Sequence, residues 1–313
     1  MAREGSHGED RSGAGQPAPS RGEDRSGAGQ PAPSRETIVV HKGHGLPYSK
    51  GLMAQALSAT ALSQERAFEL ARLIESRLAA RAQDEIDVAA LHVLAEEVLR
   101  AEEGAIVAGR YRRWRRLDRL DRPLVVLIGG TTGVGKSTLA TMLAGRLGVN
   151  RVIATDVVRQ VLRAFFTLEA MPTVHHSAFE AGGIAGYRDQ AERVGTGIAA
   201  IVERAANEGK PVVVEGVHVV PGGVHPRVRE RCVLVEALVV VQDPDLHRAH
   251  FSLRPGTRPA ERYLAHFEPI RRLQDHLWER ARSEGVAIVD NENVDVTLAR
   301  LMELVLDTVE EDE

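Results

Sequence analysis

Gly130, Thr131, Thr132, Gly133, Val134, Gly135, Lys136, Ser137 and Thr138 stand in the order G-x-x-x-x-G-K-[ST]. Glycines at these spacings let the backbone curl until successive N–H groups point at one anion, and a helix opening there adds its positive end. The lysine of such a loop reaches the β- and γ-phosphates of a nucleotide, and the hydroxyl beside it is a natural Mg²⁺ ligand. The nine residues are therefore expected to bind ATP, with Lys136 catalytic and Ser137 a metal ligand. Lysine is otherwise scarce: of 40 lysines and arginines, only Lys42, Lys50, Lys136 and Lys210 are lysines.

Further along, Asp156 precedes Arg159 and Arg163 by one and two helical turns. A carboxylate at that sheet edge can orient or deprotonate a hydroxyl nucleophile, or simply cap the helix. Arginines beside it suit a phosphate or carboxylate on the acceptor. Asp156 is thus expected to be catalytic and substrate-binding, and Arg159 and Arg163 substrate-binding. Glu215 ends another apolar run and is placed to order the water shell of Mg²⁺. His218, three residues on, either touches substrate or fills the turn leaving the strand. The segment Met171–Glu180 is dense in polar groups, and Glu180 joins the substrate-binding set. Its paired His175 and His176 lack a third metal ligand at a telling spacing. Arg248, Arg254, Arg258 and Arg262 crowd another segment, where guanidiniums can close over nucleotide and meet charge on the transferring phosphoryl group. Arg248 and Arg254 are assigned as catalytic.

These residues need a sheet to bring them together. Strands are expected at 124–129, 151–155, 211–215, 233–241 and 286–289, with helices at about 136–147, 156–166, 187–208, 243–251, 260–284 and 294–309. The alternation predicts right-handed βαβ crossovers and a five-stranded parallel sheet, strand 124–129 central, covered by helices on both faces. Ligands of such a sheet bind beyond the carboxyl ends of its strands. Residues 157–210 exceed the roughly 2–6 residues of an ordinary βα connection, and they are expected to cap the acceptor.

Before this domain, residues 36–120 read as a small, mainly helical unit. A strand is expected at 37–41, a turn at 43–45, and helices at about 50–61, 64–82, 86–102 and 103–120. Residues 8–21 repeat without change as 22–35, rich in Gly, Pro, Ser and charge. With no large apolar side chain to offset ordering entropy, residues 1–35 are expected to be disordered. Three parts result: 1–35, 36–120 and 121–313.

A net charge of −4 and a hydrophobic content of 43% describe an ordinary globular chain with no bias toward nucleic acid or membrane. Seven arginines between Arg110 and Arg122, with Tyr111 and Trp114 among them, leave RNA binding as a rival reading. The lone cysteine, Cys232, excludes an intrachain disulfide, and with no secretory h-region the expected location is cytoplasmic.

Taken together, LPYSKGLMAQAL (46–57), RYRRWRRL (110–117), LIGGTTGVGKSTLA (127–140), ATDVVR (154–159), HHSAFEA (175–181), VVEGVHVVPG (213–222) and RYLAHFEPIRRLQ (262–274) resemble the archaeal-type 2-phosphoglycerate kinases. The resemblance implies a P-loop kinase fold and transfer of the ATP γ-phosphate to the free hydroxyl of 2-phosphoglycerate, giving 2,3-bisphosphoglycerate. It further implies that residues 36–120 are similar to an ATP-cone, a regulatory nucleotide-binding module. Two other readings stand beside it: a kinase of another phosphorylated polyol, such as an inositol phosphate or sugar phosphate, and a non-catalytic nucleotide-gated regulator. The expected partners are ATP with Mg²⁺ and a small anionic metabolite.

Overall fold

The computed structural model describes residues 37–81, 84–224, 226–252 and 260–312. The repeat tail expected to be disordered, and Arg254 and Arg258, lie outside the described residues.

The N-terminal part opens on β1 (Ile38–His41) and β2 (His44–Pro47), then α1 (Lys50–Ser58), α2 (Gln64–Ala80), β3 (Glu85–Asp87), α3 (Val88–Glu102) and α4 (Ala105–Trp114). A 3₁₀ turn at Arg115–Arg119 follows, so the predicted fourth helix is shorter than expected. Two strands depart from the expectation. β2 pairs antiparallel with β1 where a turn was read, and β3 pairs parallel with β1 at the expected start of a helix. The hairpin is tight because Lys42 and Gly43 both take positive φ. The β1–β3 pairing joins residues far apart in sequence and leaves no local signal. Apolar side chains of α2 and α3, among them Leu70, Ile74, Leu94 and Leu99, bury at helical spacing into a core of their own with Tyr111.

The larger part comprises β4 (Leu124–Gly129), α5 (Lys136–Leu147), β5 (Val152–Ala154), α6 (Thr155–Phe165), α7 (Gly183–Glu208), β6 (Val212–Glu215), α8 (Pro226–Arg229), β7 (Val233–Val240), α9 (Pro244–Ser252), α10 (Ala260–Ala265), α11 (Phe267–Glu284), β8 (Ala287–Asp290) and α12 (Val294–Glu311). The sheet order is β5-β6-β4-β7-β8, all parallel, with β4 central as predicted. Every residue of β4 is buried, as a strand covered on both faces requires. α5 and α12 pack against one face, where Ile128, Leu139, Leu143, Leu301 and Val305 meet. α7 and α11 cover the other. The expected helix 260–284 breaks at His266, whose Nδ1 pairs with the Arg262 carbonyl.

The arginine run does not face solvent as an unpaired stripe. Arg110 and Arg113 reach Glu303, Arg113 also reaches Asp307 and Glu310, Arg116 reaches Glu310, and Arg122 reaches Asp312, all on or just beyond α12.

Candidate functional site

The loop Gly130–Gly135 connects the end of β4 to α5, as its motif predicts. Gly133 and Gly135 hold φ of +94° and +87°, a region that L side chains avoid. Space forbids a side chain as well. A Cβ on Gly133 would lie 2.5 Å from the Phe251 ring, and one on Gly135 would lie 2.5 Å from Asn291 Nδ2.

The outward carbonyls of this loop are each held by a partner that spacing alone did not reveal. His247 Nε2 donates to the Thr132 carbonyl (2.9 Å), His250 Nδ1 to that of Gly133 (3.0 Å), and Asn291 Nδ2 to that of Val134 (3.0 Å). Burial pushes the His247 pKa down to about 4, so the ring is neutral near pH 7 and carries its proton on Nε2 to serve that carbonyl. His247 and His250, three apart on α9, are the one sequence signal that could have pointed to this brace. Asn291, just past β8, left none.

Inside the loop, Lys136 is buried and its Nζ donates to the Thr131 carbonyl (2.8 Å). Ser137 Oγ donates to Glu215 Oε1 (2.8 Å), bringing a hydroxyl and a buried carboxylate from neighbouring elements together. A cavity of about 140 Å³ opens in front, lined by Lys136, Ser137, Glu215 and Asp156 among others. Asp156 is the second residue of α6, and its side chain is 60% exposed and available to a ligand. Arg159, Ser177 and Tyr263 are shared with an adjoining cavity of about 440 Å³ that also contains Arg163, His175, Glu180 and Arg262. The two hollows adjoin across these shared residues, one at the phosphate loop and the other a basic chamber.

Within that chamber the predicted residues divide. Arg163 bonds the neutral Gln160 amide oxygen (3.2 Å), and among the described residues no carboxylate meets its charge. Arg159 works on the protein itself, with Nη1 donating to the carbonyls of Val174 and His176 (3.1 Å each) and Nε to Asp156 (3.2 Å). Glu180, expected to bind substrate, lines the chamber and is paired with Arg262 (2.5 Å), which also reaches Ser177. That pair ties α10 to the capping segment.

Two more of the expected residues line neither hollow. His218 does not reach the chamber: it is buried, with Nδ1 on Thr155 Oγ1 (2.9 Å) and Nε2 on Gln190 Oε1 (3.0 Å). It fills the turn after β6, the alternative left open by the sequence. Arg248, expected at the transferring phosphoryl group, sits 4.2 Å over the Phe267 ring and pairs with Asp245 one turn back. The aromatic column of His247, Phe251 and Tyr263, with Phe179 against its end, packs α9 and α10 against the capping segment.

A phosphate loop beside a hydroxyl–carboxylate pair, facing an exposed carboxylate and a basic chamber on an all-parallel sheet, defines an ATP-dependent small-molecule kinase. The chain is 34% identical over 279 residues to the 2-phosphoglycerate kinase of Methanopyrus kandleri, a match spanning 84% of this chain and 85% of that protein. It is 36% identical over 284 residues to the 2-phosphoglycerate kinase of Pyrococcus horikoshii, covering 85% and 92% of the two. Among solved structures it is similar to a gluconokinase from Sinorhizobium meliloti 1021, with 18% identity, a TM-score of 0.36, and coverage of 60% of this chain and 93% of that one. No protein-family model matches the chain. It belongs to the 2-phosphoglycerate kinase family.

Proposed function

We propose that the chain transfers the γ-phosphoryl group of ATP to the free hydroxyl of 2-phosphoglycerate, yielding 2,3-bisphosphoglycerate. The observation that carries this reading is the adjacency of the Lys136 cavity and the chamber around Arg163, which share Arg159, Ser177 and Tyr263 in their walls. A phosphorylated acid needs a cationic seat for its phosphate, and its hydroxyl must face the nucleotide. The names of the archaeal relatives support that choice of acceptor over another phosphorylated polyol.

In this reading the loop N–H groups and Lys136 hold the β- and γ-phosphates, Asp156 orients the acceptor hydroxyl and receives its proton, and Arg163 seats the acceptor anion. Arg159 shapes the wall of the seat. Ser137 and Glu215 offer oxygen donors, which suit a hard cation, and among the described residues no group of three His, Cys, Asp or Glu could form an all-protein cage. That fits Mg²⁺ held chiefly by phosphates and water, with Ser137 as direct ligand and Glu215 ordering the water shell. When bound, Mg²⁺ neutralises charge on the β- and γ-oxygens. Residues 36–120 act in this reading as a cone-like module attached to a kinase domain of residues 121–313. No helix among the described residues is long and apolar enough to cross a membrane, and the reading places the reaction in the cytoplasm.

The test is ³¹P NMR of the purified chain with ATP, Mg²⁺ and a panel of 2-phosphoglycerate, 3-phosphoglycerate, sugar phosphates and inositol monophosphates. 2,3-Bisphosphoglycerate should form from 2-phosphoglycerate with the highest kcat/KM. Turnover confined to an inositol or sugar phosphate overturns the acceptor. Lys136→Ala should fold yet lose on the order of 10²-fold or more in kcat, since its charge meets one that grows in the transition state. A folded variant with near-normal turnover overturns the phosphate-loop assignment.

A further inference from the structure

A third cavity, about 420 Å³, lies on the α7 face of the sheet and shares no lining residue with the two hollows of the kinase site. It exists because α7 presents Ala191, Gly195 and Ala199 at successive turns where larger side chains would have filled the space. Leu127, Ile198, Val202, Val219 and Val228 complete an apolar wall of the size and character of a small-molecule site.

The mouth of the cavity is charged and of both signs. Arg188 and Glu192, both exposed, stand there one turn apart, and Arg193, which interacts with Glu192, is itself bonded to Asp189 (2.9 Å). Arg280, also at the mouth, is already paired with Glu284 (3.0 Å). An apolar hollow with an exposed cation and an exposed carboxylate at its rim matches a molecule with an apolar body and a zwitterionic head.

The same cavity touches the supports of the acceptor chamber. His218 lines it, and its partner Gln190 donates to the carbonyls of Thr173 and His176 in the capping segment. Tyr187 lines it too, and its hydroxyl donates to the carbonyl of Val217, a residue of the Lys136 cavity wall (2.7 Å).

We propose that this cavity is a second ligand site that takes an apolar α-amino acid, carboxylate at Arg188 and ammonium at Glu192, and that its occupancy alters acceptor binding through Gln190 and Tyr187. The binding half is independent of the kinase reading, whereas the coupling half rests on it.

Isothermal titration of the full chain with L-phenylalanine, alongside 3-phenylpropionate and phenethylamine, tests the binding half. One saturable site per chain is expected, with each single-charge analogue at least tenfold weaker. Arg188→Gln should weaken phenylalanine about tenfold and leave phenethylamine unchanged. Gly195→Leu should abolish binding by filling the hollow. It should also fold, because a Cβ at Gly195 meets no atom within 4 Å and leucine favours the helix more than glycine. Absence of saturable binding to the wild-type chain, or unchanged binding in Gly195→Leu, overturns the site. Equal affinity for 3-phenylpropionate overturns the amino-acid assignment. Kinase assays then test coupling: saturating phenylalanine should shift the acceptor KM at least threefold and the ATP KM little, and Gly195→Leu should not respond. Binding without such a shift overturns the coupling.

Discussion

Arg159 and Arg163 show how one turn of helix changes what an arginine does. Both were expected to hold the acceptor's anion, yet Arg159 spends its guanidinium on the carbonyls of Val174 and His176 and on Asp156, while Arg163 meets no carboxylate among the described residues. Arg163→Met should therefore raise the acceptor KM about ten- to a hundredfold, the scale of a charge-assisted hydrogen bond of roughly 1.5–3 kcal/mol, with little change in the ATP KM. Steady-state kinetics with each substrate varied in turn decides it, and equal effects on both constants would move Arg163 to the transferring phosphoryl group. Arg159→Met should act differently. It frees the segment around Val174–His176, so kcat falls together with acceptor affinity, and limited proteolysis of that segment speeds up.

At the scale of elements, the phosphate loop is a strand-to-helix connection whose shape is imposed from outside. α9 supplies His247 and His250, and the turn after β8 supplies Asn291. Removing a buried donor leaves its carbonyl partner unpaired at a cost of about 1–3 kcal/mol. Asn291→Leu is accordingly expected to raise the ATP KM about tenfold while sparing acceptor affinity, because the loss falls on the Val134 carbonyl and not on α6. Nucleotide titration by fluorescence or calorimetry measures it, and an unchanged nucleotide affinity would show that α5 and Lys136 hold the loop without this brace. The aromatic column from His247 to Phe179 explains why Arg248 packs on Phe267. Its flat guanidinium covers a ring at the base of that column.

For the whole molecule, two electrostatic features set stability. Arg113 reaches Glu303, Asp307 and Glu310 across the contact between α4 and α12, and its side chain is only 23% exposed. Arg113→Met should lower unfolding free energy by about 1–3 kcal/mol in urea titrations, with Arg113→Lys intermediate, since it takes the bridging cation from Asp307 and leaves Glu303 to Arg110 and Glu310 to Arg116. An unaltered urea midpoint would reduce the arginine run to a solvated surface. The second feature is a set of three histidines, His218 and His247 buried and His92 half-buried. Burial pushes His92, His218 and His247 down to about 4 from an ordinary value near 6.5. The unfolded chain then takes up these protons first, so their contribution is intact above about pH 6.5 and is lost progressively as pH falls toward 4. Urea midpoints should drop across that window, and His218→Gln should make the drop shallower.

Local chemistry sufficed for some of this protein. The phosphate loop and the five strands follow from spacing, apolar runs and glycine positions, because each is written within a few residues or one βα unit. What needed the tertiary structure is what joins distant segments. The parallel β1–β3 pairing, the Glu180–Arg262 bond, the Asn291 brace and the docking of α4 arginines on α12 each link residues with no common periodicity. His218 is the sharpest case. Its position after a strand ending in Glu215 was compatible with a substrate contact or a buried filler, and only the packing of Thr155 and Gln190 around both ring nitrogens decided between them. A side chain's type limits the bonds it can make, but which of them it makes depends on neighbours that the fold alone brings within reach.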